Sequence, residues 1–352
     1  MAENEQKNDS KTPEVFDDYT KVVVILASSP HIASPVTTQK LMANVLIALG
    51  PVSIFGVVIF GVPALLNILV GVIAAVGAEA CFRSIMKQDS RIKDCSAAVT
   101  GLLLALALPP TTPLWMTALG AIFAILVAKE FFGGLGANVF NPALIGRAFL
   151  IMSFPAAITT WQKPGFILSE ADAVTGPTPL GILKAGGSID AMAKEFGVIS
   201  GPAYSSTLTT LFFGNHSGCI GETSILLILA GCAYLLVTKT IDWRAPVAMI
   251  GVTALAALVL GLDPIFAILS GGVLFGAVFM ATDYVSAPLT ANGKLLFGFG
   301  AGLITMLIRK WGNFPEGVTY GILVMNAVTP FLNRLIQKKY GLVPKPKGGT
   351  AK

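Results

Sequence analysis

Residues 41–82, LMANVLIALGPVSIFGVVIFGVPALLNILVGVIAAVGAEACF, contain a single charged side chain, Glu79, and decide the fold class. A helix that crosses a bilayer needs about 20 predominantly apolar residues. This stretch is long enough for two such helices, and a glycine and a proline near its middle interrupt the run. We therefore predict two membrane-spanning helices, near residues 41–59 and 62–82.

The composition of the whole chain extends this prediction to a polytopic membrane protein. Of the 352 residues, 54% are hydrophobic and only 12% are charged, whereas about 25% of a typical soluble domain is charged. So little charge cannot cover a water-facing surface. The net charge of +5 could suggest nucleic-acid binding, but the charged residues lie in tails and short loops, which is typical of membrane topology.

Ten apolar segments and one long polar insertion divide the chain, so the predicted fold is all-α with about ten transmembrane helices. The predicted spans lie near residues 41–59, 62–82, 95–108, 113–128, 138–156, 221–238, 245–261, 264–281, 294–309 and 317–333. The predicted regions are a cytoplasmic N-terminal segment (1–40), a first five-helix membrane half (41–156), an extracytoplasmic insertion (157–220), a second five-helix membrane half (221–333) and a basic cytoplasmic tail (334–352).

The distribution of basic residues predicts the orientation. With a cytoplasmic N-terminus, 18 of the 24 lysines and arginines fall in cytoplasmic segments and five in extracytoplasmic ones, while Arg147 lies within the fifth span. Because cytoplasmic loops carry the excess of basic residues, both termini are expected inside and the insertion outside. Arg309 and Lys310 are exceptions. Five spans on each side of the insertion also suggest an inverted five-plus-five repeat with a site near the middle of the membrane.

The most informative stretch of the insertion is DAVTGPTPL at residues 172–180. It is a Gly/Pro turn that carries hydroxyl groups at Thr175 and Thr178 next to an acid. On these residues alone, it could equally be a surface turn in which Asp172 acts as a local cap.

Polar residues at membrane depth are the second signal. The sequence FFGGLGANVFNPALIGRAF at 131–149 includes Asn138, Asn141 and Arg147. Placing such polar side chains in hydrocarbon costs free energy, so we expect them to face the interior of the bundle and to bind a polar partner or ligand there.

Neither a metal site nor an ion path can be recognised. The four cysteines are separated by 14, 124 and 13 positions, which matches neither zinc nor iron–sulfur spacing, so no metal site is predicted. Acids in or beside the predicted spans are candidates for ion coupling, namely Glu79, Glu222, Asp263, Asp283 and Glu316. Each could equally be a span-end residue in interfacial water.

Together the motifs resemble the NqrB/RnfD family, from SSPH at 28–31 to about Arg334. The resemblance rests jointly on GGLGANVFNPALIGRAFL, GETS at 221–224, MATDYVSAPLT and FPEGVTYGILVMNAVTP. The family includes RnfD, the membrane flavoprotein subunit of the Rnf ferredoxin:NAD oxidoreductase complex, and NqrB of the sodium-pumping NADH:quinone oxidoreductase. The length of this chain is closer to that of RnfD.

This resemblance implies that residues 172–178 are a flavinylation sequence, in which a separate transferase esterifies the phosphate of FMN to a threonine. The family pattern is an acid, two residues, Ser or Thr, Gly, Ala and the modified Thr. The residues that match it are Asp172, Thr175, Gly176 and Thr178. Pro177 replaces the alanine, which stiffens the turn and removes a backbone N–H.

The resemblance also implies roles for the residues of this turn, and membrane depth suggests those of Asn141 and Arg147. Thr178 is expected to carry covalent FMN, while Asp172 and Thr175 position the loop in the transferase. Asn141 and Arg147 are expected to bind the cofactor at membrane depth. Members of the family also hold a second, non-covalent flavin such as riboflavin, whose contacts the sequence does not define.

The implied function is that of a subunit in an ion-translocating electron-transport complex of a bacterial or archaeal cytoplasmic membrane. The complex couples electron transfer between ferredoxin and NAD to export of Na⁺ or H⁺. Expected partners are the other subunits of a six-subunit Rnf complex, including iron–sulfur and second flavoprotein subunits, and the flavin transferase. The chain alone is not expected to be active. A small-solute channel or secondary transporter without a redox cofactor is the alternative, although neither needs the hydroxyl-bearing insertion.

Overall fold

The computed structural model describes residues 36–165, 175–187, 192, 203–312 and 316–336. Within these ranges every regular element is helical, apart from one isolated antiparallel bridge between Gln162 and Thr175. The predicted all-α class is therefore confirmed for the described part of the chain. Asp172 lies outside the described residues.

Two of the described α-helices are continued by π-helical turns. The α-helices are α1 (Thr38–Phe60), α2 (Val62–Ile85), α3 (Ser96–Leu106), α4 (Leu114–Ile125), α5 (Pro142–Ser153), α6 (Pro155–Ile158), α7 (Pro179–Lys184), α8 (Ala203–Phe213), α9 (Ile225–Val237), α10 (Arg244–Val259), α11 (Pro264–Leu269), α12 (Val273–Phe275), α13 (Ala291–Trp311) and α14 (Val318–Ile336). The π-helical turns are Leu126–Glu130 after α4 and Gly276–Met280 after α12. Such turns are frequent at functional sites.

Three of the described helices, α1, α2 and α13, are long and apolar enough to cross a membrane. Helices α3, α5, α9 and α10 are also apolar, but each has only 10–17 residues, fewer than the about 20 that a span usually needs. Ten spans therefore remain a prediction. The first two predicted spans, 41–59 and 62–82, coincide with α1 and α2 and meet at Gly61, whose φ is 72°.

The predicted span at 264–281 is wrong as a single continuous helix. Helix α11 ends at Leu269, and α12 begins only at Val273. Gly271 and Gly272 between them have φ angles of 65° and 68°, a region that favours glycine over residues with a Cβ. An apolar run alone does not reveal such a break, because both halves remain hydrophobic.

Small residues allow helices to approach closely in both halves of the chain. A Cβ added to Gly302 on α13 would lie 2.6 Å from the carbonyl oxygen of Met249 on α10. A Cβ added to Gly298, one turn earlier, would lie even closer to the carbonyl oxygen of Ala245. In the first half, a Cβ at Gly101 on α3 would meet the carbonyl of Gly71 on α2. Contacts of this small-xxx-small kind are typical of membrane helices.

Candidate functional site

A cavity of about 320 Å³ lies where the end of α5, the turn before α7 and the start of α14 meet. Its lining combines apolar, aromatic and charged side chains. The lining residues are Arg147, Ile151, Ile158, Thr159, Trp161, Pro177, Thr178, Gly181, Glu316, Gly317, Thr319 and Tyr320. Thr178 and Arg147, which the sequence analysis singled out separately, therefore line one cavity.

Thr178 is held by the local structure of the insertion. It is the N-cap of α7, and its Oγ1 accepts a hydrogen bond of 3.1 Å from the Gly181 amide. The preceding turn is anchored because the Gly176 amide donates to the carbonyl of Trp161 at 3.0 Å. The residue is only 8% exposed, so its side chain faces protein rather than solvent.

Gly176 and Thr175 occupy the turn that leads to Thr178. A Cβ on Gly176 would lie 2.7 Å from Cε of Lys163, so the glycine leaves room for the stem of that lysine. Thr175 is exposed and forms the bridge with Gln162. The turn is therefore paired with the segment that follows α6.

Helix α7 is also tied to the end of α13. Lys184, in the last turn of α7, donates a hydrogen bond to the carbonyl oxygen of Gly312. Partial burial lowers the pKa of Lys184 below its usual value. This contact holds the segment that follows Thr178 against the second half of the chain.

Arg147 on α5 is the central cation of the site. It is 4% exposed and forms an ion pair with Glu316. Its Nη1 donates to Thr319 Oγ1 at 3.2 Å, and its Nη2 donates to Cys219 Sγ at 3.3 Å. Within the described residues, its Nε has no hydrogen-bond partner. Since a guanidinium stays charged in proteins, α5 places a permanent positive charge beside the cavity.

Cys219, Glu222 and Glu316 surround this guanidinium. Their potential ligand atoms all lie within 4.8 Å of one another, a spacing that could also suit a metal ion. However, Arg147 Nη2 contacts Cys219 Sγ and Glu316 and lies 3.9 Å from Oε1 of Glu222. The guanidinium therefore already supplies a positive charge to these groups.

Arg309, an exception to the predicted charge distribution, is a buried structural residue. Its guanidinium donates to the carbonyl oxygens of Ala267, Ser270 and Gly271 at 2.6, 2.8 and 3.1 Å. These carbonyls belong to the end of α11 and the break that follows it, where helical partners are missing. The arginine thus caps the broken helix, which accounts for a basic residue at this position.

Asn141 lies away from the cavity of Thr178. Its Oδ1 caps α5 by accepting from the amide of Ala143 at 3.0 Å, and its Nδ2 donates to the carbonyl of Met280 at 3.3 Å. It lines a different cavity, of about 60 Å³, together with Asn138 and Asp283. The structure thus brings Arg147, but not Asn141, to Thr178.

A second buried charge cluster went unrecognised in the sequence. Lys129 Nζ lies 3.0 Å from Glu79 Oε2 and donates to Ser96 Oγ at 2.6 Å. Arg83 Nη2 lies 3.1 Å from Glu130 Oε2. Two signals were available in the sequence: Glu79 is the single charge of residues 41–82, and Lys129 and Glu130 directly follow the apolar run of α4.

The five candidate acids for ion coupling serve different local roles. Asp263 caps α11 by accepting from the Ile265 amide at 2.9 Å, and Asp283 accepts from Ser286 Oγ at 2.7 Å. Glu79 pairs with Lys129. Only Glu222 and Glu316 share a neighbour, Arg147, so the structure does not gather the five acids into one path.

The long apolar helices α1, α2 and α13, with the shorter apolar helices beside them, are those of a multi-pass membrane protein. Comparison with known proteins gives its family: the NQR2, RnfD, RnfE family profile matches residues 25–341, and the chain belongs to this family. This confirms the predicted resemblance.

The relatives are named as components of oxidoreductase complexes. The D subunit of the proton-translocating ferredoxin:NAD(+) oxidoreductase complex of Clostridium ljungdahlii is 44% identical, with 91% of this chain and 97% of the relative covered. The D subunit of the Na(+)-translocating ferredoxin:NAD(+) oxidoreductase complex of Acetobacterium woodii is 42% identical over 93% and 98%. The D subunit of the ion-translocating oxidoreductase complex of Stutzerimonas stutzeri is 37% identical over 87% and 92%.

Proposed function

We propose that this chain is the membrane subunit of an ion-translocating ferredoxin:NAD oxidoreductase complex and carries FMN esterified to Thr178. The observation that carries the proposal is that Thr178 and the buried Arg147 line the same cavity. The names of the relatives support the type of complex.

The size and chemistry of the cavity support a tethered flavin. Its volume of about 320 Å³ falls within the range of about 300–1,000 Å³ that small-molecule sites usually have. Trp161 and Tyr320 offer aromatic surface to a planar ring, and Arg147 offers a positive charge to a phosphate or a reduced ring. A bound flavin supplies one- and two-electron chemistry that ordinary side chains lack.

The chain's own residues then divide the work. Thr178 supplies the hydroxyl, and Gly176 leaves space for the Lys163 stem beside the attachment turn. Asp172 and Thr175 position the turn in the flavin transferase. Arg147 contributes charge at the wall of the cavity, while Asn141 positions α5 from its N-terminal end.

The proposed topology has ten spans in an inverted five-plus-five repeat, with cytoplasmic termini and an extracytoplasmic insertion. In this arrangement the contact between Arg147 and Thr319, 3.2 Å long, joins the fifth predicted span to the tenth, its counterpart in the other half. The flavin at Thr178 then lies near the outer surface, whereas ferredoxin and NAD are cytoplasmic. Electrons must cross the membrane and return, so redox centres on partner subunits are required.

The coupling ion and a second flavin are less closely tied to the structure. The relatives are named for H⁺ in one organism and Na⁺ in another, so both ions stay in the proposal. Sodium uptake by inverted vesicles that persists with a protonophore would identify Na⁺ as the primary ion. A non-covalent riboflavin rests on family resemblance alone, since the polar cavity at Asn141, of about 60 Å³, is below the usual ligand-site volume of about 300 Å³.

Covalent attachment is tested by co-expressing the chain with its flavin transferase and viewing a denaturing gel under ultraviolet light. We expect a fluorescent band that is lost in Thr178→Val and kept in Thr159→Val, a matched control that removes another hydroxyl from the cavity lining. Mass spectrometry of the peptide then identifies the modified residue. A fluorescent Thr178→Val band would refute the attachment site, and a non-fluorescent parent would favour the channel or transporter alternative.

A further inference from the structure

The charged side chains near the cavity of Thr178 differ in whether they line it. Arg147 and Glu316 both line the cavity, whereas Glu222 and Cys219 do not and contact the guanidinium from elsewhere. A group in the cavity therefore meets one cation and one carboxylate at its wall. A second carboxylate, Glu222, lies 3.9 Å from the same guanidinium nitrogen.

These charges are buried, which makes them effective over the width of the cavity. The side chains of Arg147 and Glu222 are 4% and 6% exposed, and that of Glu316 is 16% exposed. Where water is largely excluded, a charge interacts with its surroundings more strongly than it does in bulk solvent. Adding negative charge to a group in this cavity is therefore favoured by Arg147 and opposed by Glu316.

Arg309 does not duplicate this role. Its donors are directed at the carbonyl oxygens of the broken helix and of Glu316, at 3.2 Å for the last. It is not among the residues that line the cavity of Thr178. Arg147 is thus the one cation of the described lining.

We propose that Arg147 and Glu316 form an opposed charge pair that sets the reduction potential of the flavin attached to Thr178. This inference rests on the proposed function. In the step concerned, one electron passes from a one-electron donor of the complex, such as an iron–sulfur centre, to the flavin. The donor is oxidised by one electron, the flavin is reduced by one, and no bond is made or broken. The added negative charge is stabilised by Arg147 and destabilised by Glu316, so both are positioning residues for the potential.

Shifts of the reduction potential in opposite directions in two variants distinguish this role from a merely structural one. Arg147→Gln removes the favourable charge and should lower the one-electron reduction equilibrium constant at least tenfold, which corresponds to a fall of about 59 mV. Glu316→Gln frees the charge of Arg147 and should raise the constant by a similar factor. Glu222→Gln should change it less than Glu316→Gln does, because Glu222 does not line the cavity. Damage to packing would not shift two variants of one ion pair in opposite directions.

The measurement is an anaerobic absorbance titration of the purified, flavinylated full-length chain at constant pH. Each variant is first checked for its fluorescent band on a denaturing gel. Asp242→Asn is the matched control, because it also removes one negative charge but lies in the ion pair with Lys294 and Arg244, outside this cavity. Its potential should equal that of the parent. If Arg147→Gln does not fold, Arg147→Lys and the two glutamate variants still test the proposal, with Arg147→Lys expected close to the parent.

The outcomes distinguish the two proposals. Fluorescent bands with unchanged potentials, or shifts of the same sign in Arg147→Gln and Glu316→Gln, overturn the charge-pair inference and leave the attachment of FMN intact. Absence of a band in the parent overturns both.

Discussion

Lys129→Met is expected to destabilise the protein because it leaves a buried carboxylate without its nearest cation. Lys129 Nζ lies 3.0 Å from Glu79 Oε2, and the two side chains are 2% and 1% exposed. Breaking a buried ion pair from one side costs about 3–5 kcal/mol. Arg83 remains 3.7 Å from the other oxygen of Glu79, so we expect the lower end, about 3 kcal/mol.

A double-mutant cycle makes this reasoning quantitative. In Lys129→Met/Glu79→Met both charges are replaced by apolar side chains of similar length, which is often nearly neutral. Arg83 keeps its contact with Glu130 at 3.1 Å. The double variant should therefore be more stable than Lys129→Met alone, with a coupling energy of at least about 1 kcal/mol.

The assay is equilibrium unfolding of the purified chain in mixed detergent micelles, followed by far-ultraviolet circular dichroism. Lys93→Met is the control, because Lys93 is an exposed lysine in the same half of the chain. A free energy of unfolding for Lys129→Met within about 0.5 kcal/mol of the parent, the usual range for a surface substitution, would refute the role of the pair. Strict additivity in the double variant would show that the two charges do not interact.

Two further predictions concern helix packing and acid sensitivity. Gly298→Ala should lower the free energy of unfolding by about 1–3 kcal/mol, because its Cβ would meet the backbone of α10. Gly251 has open space around it, so Gly251→Ala should not lower the free energy of unfolding. Equal losses in the two variants would contradict the packing argument. Partial burial of Asp242 opposes its ionisation, but hydrogen bonds from the Arg244 amide and Lys294 outweigh it and lower its pKa. Stability from this group is therefore present at neutral pH and lost as the pH falls through the lowered pKa. Unfolding curves against pH should show that loss in the parent and not in Asp242→Asn; the same acid response in both would exclude Asp242 as its source.

The sequence predicted those helices whose signal is local. Residues 41–82 are apolar almost throughout, so α1 and α2 could be located to within a few residues. The segment at 264–281 is also apolar, yet its helix breaks at Gly271. Arg309, on α13, donates to the carbonyl oxygens at this break, and a local pattern carries no information about such a partner.

The sequence identifies the residues of the candidate site one by one, but it does not show that they lie together. Thr178 and Arg147 were both chosen from the sequence, one for its turn and the other for its depth. Glu316, 169 positions from Arg147, is in the sequence a candidate acid for ion coupling or a span-end residue, and its ion pair with that arginine appears only in the folded chain. Periodicity describes which face of a helix a residue occupies, and it does not state which other helix that face meets.

The burial of Thr178 has a consequence for biogenesis. The residue is 8% exposed and its hydroxyl already accepts a bond from Gly181, so a transferase of ordinary size cannot reach it in this arrangement. Under the proposed function, the order of maturation steps is therefore fixed. The chain enters the membrane, FMN is esterified to Thr178 while this hydroxyl is still accessible, and the residue is buried afterwards. A strain that lacks the transferase would accumulate protein in which Thr178 is already buried and can no longer be esterified with FMN.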